Sequence, residues 1–560
     1  MKINRKLIDP VIIILLCFVM MIPFFRNGVL YTGVDMAFHL NRTFEQYRVI
    51  QDGHVFSLIN TYSLNHLGAP VNMLYGFIYL YPLAFWMLVV HNKVLAVYLG
   101  ISTILACVAL FSYWIGNKYW LNKRDRALAF AVLFTFSTYI FGILFGTFDL
   151  AQTSATAFLP SVAYGTYSIF WRNKREWPFL ALGMAGTIYC HLVSTLIYST
   201  LVLTIIIVAL LCKKVNMSKI VALLKAVVMT IFTTSFFWIN FLIVYLNNPS
   251  INIPNSGNIS GNTPADFTNL LLTMILGIVI TVLFIITLLN WQKLNNQIKV
   301  IGILSFFYMF MSIDISNFIW HFLNKTPVKQ IQGVFRFRAV ILLLVLVFII
   351  SAVSVIFSRE NYTLYSVIVL VCCSWLSSSY TFFNDRSNFT GVTNYYAKYQ
   401  ESPFSNYKIS NNQDFMNTVD EVYVGVGCLD YWPSSALVRS GSLMRDSASQ
   451  SKPQFNGVKF NIFSSTSNKK IALPFLIYKG ITYKVTNNGH IVDSEISKYG
   501  CLSLRLNKGK NNIRIKARLS SPQIVCIVIS LLSLIRQLLV CNIPNFARLF
   551  VMTSASICAC

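Results

Sequence analysis

Charged residues are scarce in this chain. Only 11% of its 560 residues are Asp, Glu, Lys or Arg, whereas 56% are hydrophobic. Soluble domains usually carry about 25% charged residues, so a soluble globular protein is excluded. The chain also lacks a CxxC pair, and its 12 cysteines show no Cys/His spacing typical of a zinc site. Neither zinc binding nor dithiol redox chemistry is therefore indicated, and the composition predicts a polytopic membrane protein.

The charge is also one-sided, since the chain has 45 Lys and Arg residues but only 19 Asp and Glu, for a formal net charge of +26. A basic excess of this size would indicate a nucleic-acid partner if it formed one patch. Instead the basic residues occur in short clusters between apolar stretches, which is the pattern that membrane topology requires. The sequence therefore predicts no nucleic-acid partner.

Apolar stretches recur along the chain, and about twelve approach the ~20-residue length of a transmembrane helix. The first, 8–26, has no small-residue cleavage pattern after it, so we interpret it as a retained helix rather than a signal peptide. Basic residues before it place the N-terminal arm in the cytoplasm. The other predicted spans are 94–116, 127–148, 151–171, 178–190, 194–212, 220–244, 269–289, 299–313, 337–357, 362–379 and 520–540.

One further apolar stretch, 73–90, is interpreted as a hairpin that dips into the membrane without crossing it. Pro70 and Pro82 suit such a broken segment. If the stretch crossed the membrane, the basic cluster around Arg124 and the later basic loops would lie outside, against the positive-inside rule. The sequence therefore predicts a long outer first loop, 27–93.

Composition changes sharply after the eleventh span. Residues 380–519 are rich in Ser, Asn, Tyr and Gly, and the sequence NNG at 487–489 is a hairpin-turn signal. We predict a polytopic α-helical transmembrane body over 1–379, an extracytoplasmic β-rich domain over 380–519 and a final transmembrane helix over 520–540. No role is assigned to the tail, 541–560.

The most informative polar residue is Asp35, which follows the first span and so emerges at the outer membrane surface. If 35–48 is helical, Asp35, His39 and Arg42 share one face, because positions i, i+4 and i+7 align. A carboxylate, an imidazole and a guanidinium on one face can take a proton, relay it and hold an anion. The alternative is a solvated surface helix in which Asp35 is an ordinary N-cap.

Four other ionisable residues fall at the same predicted outer mouth. Asp149 ends the third span, His191 lies at the tip of a tight hairpin, and Arg336 and Arg338 open the tenth span. Ionisable groups near membrane depth are costly and are usually functional or paired. Each also has an ordinary alternative, namely a helix-end polar residue, a hairpin hydrogen bonder and interfacial anchors. A functional site is favoured because all four residues lie on the same predicted side of the membrane.

Aromatic residues give a weaker indication of what such a site would hold. The stretches 75–82 and 134–148 fit a lipid chain, although interfacial aromatic belts look the same. In the outer domain, Tyr431 and Trp432 could stack on a sugar ring. The alternative for this pair is aromatic packing in the core of that domain.

Several short motifs also occur in a recognisable order. The segment DMAFHLNR at 35–42 is similar to a family opening of the form D-x-x-F-H-x-x-R. The further matching segments are YGFIYLYP at 75–82, AFLP at 157–160, HLVS at 191–194, FRFR at 335–338, DYWP at 430–433 and KGKNNI at 508–513. Together they resemble the bacterial YfhO-like membrane proteins, some of them labelled 6-pyruvoyl-tetrahydropterin-synthase-related. These resemble the GT-C superfamily of polyprenol-dependent glycosyltransferases.

The resemblance covers almost the whole chain and implies a GT-C-like multi-pass protein of the bacterial cell membrane. It implies transfer of a sugar from a polyprenyl-phosphate-linked donor to an envelope glycan or lipid on the outer face. The resemblance assigns the acidic residue of the family's first outer loop to Asp35, the re-entrant segment after it to 73–90, and the family's Arg motif to Arg336 and Arg338. In the hypothesis we favour, Asp35 accepts or orients the proton of the acceptor hydroxyl, His39 orients Asp35 or relays its proton, and Asp149 is a further catalytic candidate. The candidate substrate-binding residues are Arg42, His191, Arg336, Arg338, Tyr431 and Trp432.

Two segments depart from the family's pattern. Residues 147–149 are TFD where the family usually has a G-E-like acidic pair, and residues 334–338 are VFRFR without the proline of the F-P-x-R form. Either arginine can therefore be the family's equivalent. A divalent cation bridging Asp35 and phosphate is compatible with this scheme but is not indicated, because no second certain carboxylate is found. No metal ligand is assigned.

Two other functions stay open. A transporter or flippase of lipid-linked precursors predicts ionisable residues near the bilayer midplane and broken helices in repeated halves. Lys225 lies inside a span, but no repeat is evident. A non-catalytic envelope scaffold predicts that the Asp35 face can be altered without effect. The absence of a soluble nucleotide-sugar half and of a D-x-D motif favours a donor that is already lipid-linked.

Overall fold

The computed structural model describes residues 5–31, 33, 35–252, 258–261, 277–387, 408–420 and 429–541. Most of the predicted tail, 541–560, lies outside them. The helices are α1 (Arg5–Val19), α2 (Ile22–Asn27), α3 (Met36–Gln51), α4 (Val71–Leu74), α5 (Leu80–Val89), α6 (Lys93–Tyr119), α7 (Arg124–Thr135), α8 (Thr138–Phe141), α9 (Leu150–Thr156), α10 (Leu159–Trp171), α11 (Trp177–Cys190), α12 (Leu192–Leu211), α13 (Met217–Thr233), α14 (Ser235–Asn247), α15 (Gly277–Leu289), α16 (Asn296–Phe310), α17 (Asn317–Leu323), α18 (Arg338–Ile356), α19 (Glu360–Ser387), α20 (Asn412–Asp420), α21 (Ser434–Leu437), α22 (Ser440–Gln450) and α23 (Ser521–Val540). The strands are β1 (Leu30–Tyr31), β2 (Lys408–Ile409), β3 (Ser451–Gln454), β4 (Gly457–Ser464), β5 (Lys469–Leu476), β6 (Thr482–Asn487), β7 (His490–Ile491), β8 (Ser494–Ile496), β9 (Cys501–Leu506) and β10 (Gly509–Arg518).

Seven helical segments in the described part of the chain are long and apolar enough to cross a membrane. They are Ile8–Asn27, Lys93–Tyr119, Arg124–Thr147, Leu192–Leu211, Val334–Ile356, Glu360–Asn384 and Ser521–Val540. Helices α13 and α14 make an eighth if the pair, bent by 66°, counts as one span. All eight coincide with predicted spans, so the polytopic helical architecture is confirmed. The full count of about twelve stays a prediction. The predicted span 269–289 lies partly outside the described residues, and the other remaining helices fall short of the ~20-residue length of a span.

The shorter helices α10 and α11 pack closely because glycines face the neighbouring backbone. A Cβ added at Gly165 would lie 2.2 Å from the backbone nitrogen of Leu180. A Cβ at Gly183 would lie 2.7 Å from the backbone nitrogen of Val162. Small residues at such interfaces let helix backbones approach in a membrane environment. These two short helices therefore form one tightly packed pair, which ends at His191 on one side of the bundle.

The stretch 73–90 has the broken form that its prolines predicted. Helix α5 has only ten residues, which is too short to cross a bilayer. The non-helical residues before it are pinned to α11, since the backbone N–H of Phe77 donates to the carbonyl of Tyr189 at 2.8 Å. A Cβ at Gly76 would lie 2.2 Å from the carbonyl oxygen of Cys190. Only glycine permits this close approach, which fixes the segment against the bundle.

Contacts between the basic loops define one end of the bundle, called here the inner end. Arg124 pairs with Asp9 near the N-terminus, and Arg126 pairs with Glu360 at the start of α19. Nη1 of Arg172 donates to the backbone carbonyl of Lys118, in the last turn of α6, at 2.9 Å. The structure thus brings together the loops that the positive-inside rule assigns to the cytoplasm. The opposite end, with α3 and the strands, is called the outer end.

The outer domain contains two antiparallel sheets. One has the strand order β3-β4-β10-β6-β7 and the other has the order β5-β9-β8. Asn488, with φ 51°, and Gly489, with φ 92°, form the turn between β6 and β7, as the NNG signal predicted. The β-rich character of this region is confirmed. Helix α19 continues to Ser387, so the boundary predicted at 379 falls inside a helix.

The first outer loop and the β domain share a hydrophobic core. The backbone N–H of Leu476 donates to the carbonyl of Leu67 at 2.9 Å. The side-chain oxygen of Asn456 accepts from the backbone N–H of Leu58 at 2.7 Å. Leu67 and Phe475 are fully buried in this core. The β domain is therefore docked directly over the loop that begins with α3.

We expect single cysteines at positions 53 and 488 to react with a membrane-impermeant maleimide added from outside, and those at 122 and 217 to be protected. All four positions are exposed in the fold, so protection would report the membrane and not burial. The measurement is labelling of intact cells expressing a variant whose native cysteines are replaced by serine. Outside labelling at 122 would mean that 73–90 crosses the membrane.

Candidate functional site at the outer end

Asp35 stands at the first position before α3, but its side chain makes no capping hydrogen bond. The backbone N–H of Asp35 donates to the carbonyl of Thr147 at 2.9 Å, which brings it beside the loop that carries Asp149. The helix itself covers Met36–Gln51, in agreement with the predicted range. The ordinary N-cap alternative for Asp35 therefore does not hold, because its carboxyl group does not cap the N-terminus of α3.

The carboxyl group of Asp35 has a shifted proton affinity. Burial raises its pKa to about 7, the negative charges of Asp149 and Asp430 raise it as well, and the Arg336 guanidinium acts against them. A group that ionises near neutral pH is well matched to general acid–base chemistry. Such shifts are typical of functional sites, although ion-pair networks also produce them.

Asp149 combines a structural and an electrostatic role. One carboxylate oxygen accepts from the backbone N–H of Gln152 at 2.8 Å and so caps α9. The same oxygen lies 3.9 Å from Nε2 of His39, and the other lies 3.6 Å from Nη1 of Arg336. The predicted alternative of a helix-end polar residue is therefore correct, yet the same carboxylate also faces the predicted site.

His39 has a defined hydrogen-bonding state. Its Nδ1 lies 2.7 Å from the hydroxyl of Tyr79, which also accepts from Nη1 of Arg42 at 2.7 Å. Because a guanidinium only donates, the phenol proton is left for Nδ1, and the imidazole proton sits on Nε2 towards Asp149. Burial lowers the pKa of His39 to about 3, so the 3.9 Å contact is not an ion pair. The recorded partners of His39 are thus Tyr79 and Asp149, whereas the sequence predicted Asp35.

Arg42 is wholly buried, and the protein itself occupies its donors. Nε and Nη2 donate to the side-chain oxygen of Asn72 at 3.1 and 2.9 Å, and Nη2 also donates to the carbonyl of Gly76 at 2.8 Å. Nη1 donates to Tyr79, and the ring of Tyr75 lies 4.8 Å from the guanidinium carbon. These contacts give Arg42 a structural role. Phosphate binding by this residue, which the sequence suggested, stays a prediction.

Arg336 and Arg338 retain unfilled donors. In Arg336, Nη1 donates to Gln152 at 2.6 Å and Nη2 donates to Gln332 at 2.8 Å. The Nε atoms of both arginines are buried without a hydrogen-bond partner. The Arg336 side chain is 15% exposed. A buried donor without a partner is costly, so an anion that supplied one would bind favourably here.

His191 meets the ordinary expectation for a hairpin tip and still borders the site. Its Nδ1 lies 2.8 Å from the hydroxyl of Ser194 and accepts from the backbone N–H of that residue at 3.3 Å, so it caps α12. Its ring lies 5.7 Å from the ring of Tyr75, which in turn covers Arg42. His191 therefore supports the aromatic wall of the site, and substrate binding by it stays a prediction.

Tyr431 and Trp432 are both buried in the core of the outer domain. Backbone hydrogen bonds of 2.6 and 2.7 Å tie both residues to Asn252. Core packing therefore accounts for the pair without a sugar. The neighbouring residue Asp430 interacts with the site through its charge, which raises the pKa of Asp35. Burial also raises the pKa of Asp430 itself, to about 6.

Four residues of the site were missed by the sequence reasoning as individual participants. Tyr79 lay inside a stretch interpreted only as lipid-facing, and Asp430 lay beside the aromatic pair proposed for sugar stacking. Gln152 follows Asp149 by three positions, which is a helix-start spacing that could have drawn attention to it. Gln332 carries no comparable signal. These residues complete the contacts between α3, α9 and the start of α18.

Comparison with protein-family models, with curated proteins and with solved structures gave no match. The family resemblance and the GT-C class therefore stay predictions. Within the described residues, no three His, Cys, Asp or Glu side chains lie close enough to hold a metal ion.

We expect the protonated carboxyl band of Asp35 to disappear as the pH rises through about 7. The measurement is an infrared titration of wild type minus Asp35→Asn. In an Asp149→Asn background the transition should move to lower pH, because one repelling charge is removed while Asn still caps α9. Asp493→Asn, at an exposed position, is the control. A wild-type transition near the ordinary pKa of Asp would show that the Asp35 carboxyl group is not buried beside Asp149 and Asp430.

Proposed function

We propose that this protein transfers a sugar from a polyprenyl-phosphate-linked donor to an envelope glycan or lipid at the outer face of the membrane. One observation carries the proposal. A carboxyl group with a pKa of about 7, Asp35, stands beside Arg336, a guanidinium with an unfilled donor, at the outer end of a membrane bundle. A proton acceptor and an anion binder are the two groups that such a transfer needs.

In the proposed reaction, Asp35 takes the proton of the acceptor hydroxyl while the oxygen of that hydroxyl bonds to the anomeric carbon of the sugar. The bond from that carbon to the phosphate oxygen breaks, and its electron pair leaves with the phosphate. Arg336 stabilises the developing charge, and Arg338 is the second candidate because its Nε is also unpartnered. A guanidinium is suited to this task by its planar fork of donors.

Asp149 and His39 act as positioning residues in this scheme. Asp149 raises the pKa of Asp35 by its charge and contacts Arg336 at 3.6 Å. His39, neutral and held by Tyr79, directs its Nε2 proton towards Asp149. The charge of Asp149 therefore acts on both the proton acceptor and the phosphate binder. Arg42 holds the hydroxyl of Tyr79, which is the hydrogen-bond partner of His39.

The order of motifs that resembles YfhO-like and GT-C proteins supports the same assignment. The transporter alternative gains little, because the break between α13 and α14 is the one bent pair of spans in the described chain. Lys225 on α13 is exposed on the surface of the bundle. The Asp35→Asn variant distinguishes the scaffold alternative from the proposal, because a scaffold should tolerate this change.

Asp35→Asn should abolish the glycan product while leaving membrane insertion normal, because it removes the proton acceptor with little change of volume. Loss of a general base typically lowers the rate by about 10²–10⁴. The measurement is comparative envelope-glycan analysis of a deletion strain complemented with each variant, with Asp493→Asn as the matched control. Full activity of Asp35→Asn would favour the scaffold or transporter function.

Arg336→Lys should weaken donor use by roughly one to two decades in apparent affinity, since a charge-assisted hydrogen bond contributes about 1.5–3 kcal/mol. Lys keeps the charge but loses the fork that reaches both Gln152 and the ligand. Arg338→Lys tests the second candidate. The measurement is donor titration of the purified protein in nanodiscs.

Arg359→Lys is the matched control for this series, because Arg359 also lies over an aromatic ring, that of Tyr362, but precedes α19 at the inner end. It should leave donor affinity unchanged. If both outer variants match wild type at subsaturating donor, neither arginine binds the phosphate.

A further inference from the structure

A second feature lies on the other side of the segment 75–79. A groove of about 600 Å³ runs between the outer domain and the helices α11, α14 and α23. Its lining is mostly apolar and includes Leu182, Ala185, Phe236, Leu531 and Leu534. An apolar cavity of this size, with an open side among membrane helices, is suited to hydrocarbon chains.

The mouth of the groove is cationic. Lys516 and Arg518, at the end of β10, line it together with His54. The ring of Phe455 stacks on His54 at 3.6 Å and lies 5.8 Å from Nζ of Lys516. Both cations are exposed, and the ion pairs of the described chain include neither of them. Their charges are therefore available to a bound anion.

The same sheet face gathers further positive charge. Lys516 is paired across the strands with Lys484, and Lys459 is paired with both Arg514 and Lys452. Like charges directly opposite each other destabilise a sheet. On the described strand positions that share this face, there is no Asp or Glu to offset them. This arrangement has a cost to folding that an anionic ligand would relieve.

We propose that this groove binds an anionic phospholipid of the outer leaflet, with its acyl chains among α11, α14 and α23 and its phosphate on Lys516 and Arg518. The apolar volume matches the chains, and the charge at one end matches the headgroup. A zwitterionic lipid would leave the two cations uncompensated. An extended soluble polyanion would leave the apolar groove empty.

This lipid site is distinct from the site around Asp35. Within 75–79, the rings of Tyr75 and Tyr79 lie over Arg42, whereas Phe77 and Ile78 line the groove. One short segment therefore separates the two. The proposal does not rest on sugar transfer, because it follows from the groove and its charges alone.

The test is native mass spectrometry of the purified full-length protein in detergent, titrated with phosphatidylglycerol or with phosphatidylcholine of the same chain length. Wild type should retain phosphatidylglycerol preferentially. Lys516→Gln with Arg518→Gln should reduce that affinity by roughly 10-fold or more, at about five-fold per basic residue, to the level of phosphatidylcholine. Leu531→Trp, which fills the groove, should reduce binding of both lipids.

Two matched controls accompany these variants. Leu532→Trp, on the same helix but 63% exposed and outside the groove, should bind as wild type does. Arg514→Gln with Lys484→Gln, on the same sheet face but outside the groove, should retain the preference for phosphatidylglycerol. Size-exclusion profiles identify any variant that fails to fold.

Three results would overturn the proposal. These are an unchanged lipid preference in the Lys516/Arg518 double variant, unchanged binding in Leu531→Trp, and an equal loss in the Arg514/Lys484 control. The last result would indicate an extended polyanion along the sheet. Because the readout is lipid retention, failure here leaves the sugar-transfer proposal untouched, and an inactive Asp35→Asn protein should still bind the lipid.

Discussion

The geometry of the site depends on one buried cation, Arg42, whose hydrogen-bond donors are occupied by the protein itself. Arg42 is wholly enclosed, and a hydrogen bond to a charged group typically contributes about 1.5–3 kcal/mol. Its hydrogen-bond partners are Gly76 and Tyr79, on the non-spanning segment 73–90 of the first outer loop, and Asn72, directly before that segment. The guanidinium therefore locks α3 to that segment. The lock fixes the phenol of Tyr79, and the phenol in turn fixes which imidazole nitrogen of His39 carries the proton.

The segment 75–79 also lies between two environments, a polar site and an apolar groove. Tyr75 and Tyr79 close the polar site, whereas Phe77 and Ile78 face the apolar groove. The close approach of Gly76 to the Cys190 carbonyl leaves no room for a side chain there, so the backbone itself forms the partition. The segment 75–79 thus separates two sites that lie close together.

Much of the architecture was predictable because its signals are local. Hydropathy identified eight membrane-sized helices, and the NNG turn identified the hairpin between β6 and β7. The helical spacing from Asp35 to Arg42 was also read correctly, but the partners were not. His39 meets a tyrosine 40 residues away, and Asp430 reaches Asp35 only through the docking of the outer domain. Such contacts are set by tertiary packing, and no local pattern contains them. The full count of spans stays a prediction, because helices such as α10 and α11 are shorter than a regular span.

The arrangement of charges also suggests how the two halves of the proposed reaction are coupled. The Arg336 guanidinium is the one contribution that lowers the pKa of Asp35, against burial and two nearby carboxylates. A phosphate bound to Arg336 would offset that positive charge and add negative charge beside Asp35. The pKa of Asp35 would then rise, so its carboxylate would be a stronger base, but a smaller fraction of the molecules would carry it deprotonated at neutral pH. By linkage, loss of the proton from Asp35 would weaken donor phosphate binding by the same factor. Arg336 and the carboxyl groups of Asp35, Asp149 and Asp430 therefore act as one electrostatic unit, in which anion binding and deprotonation of Asp35 oppose each other.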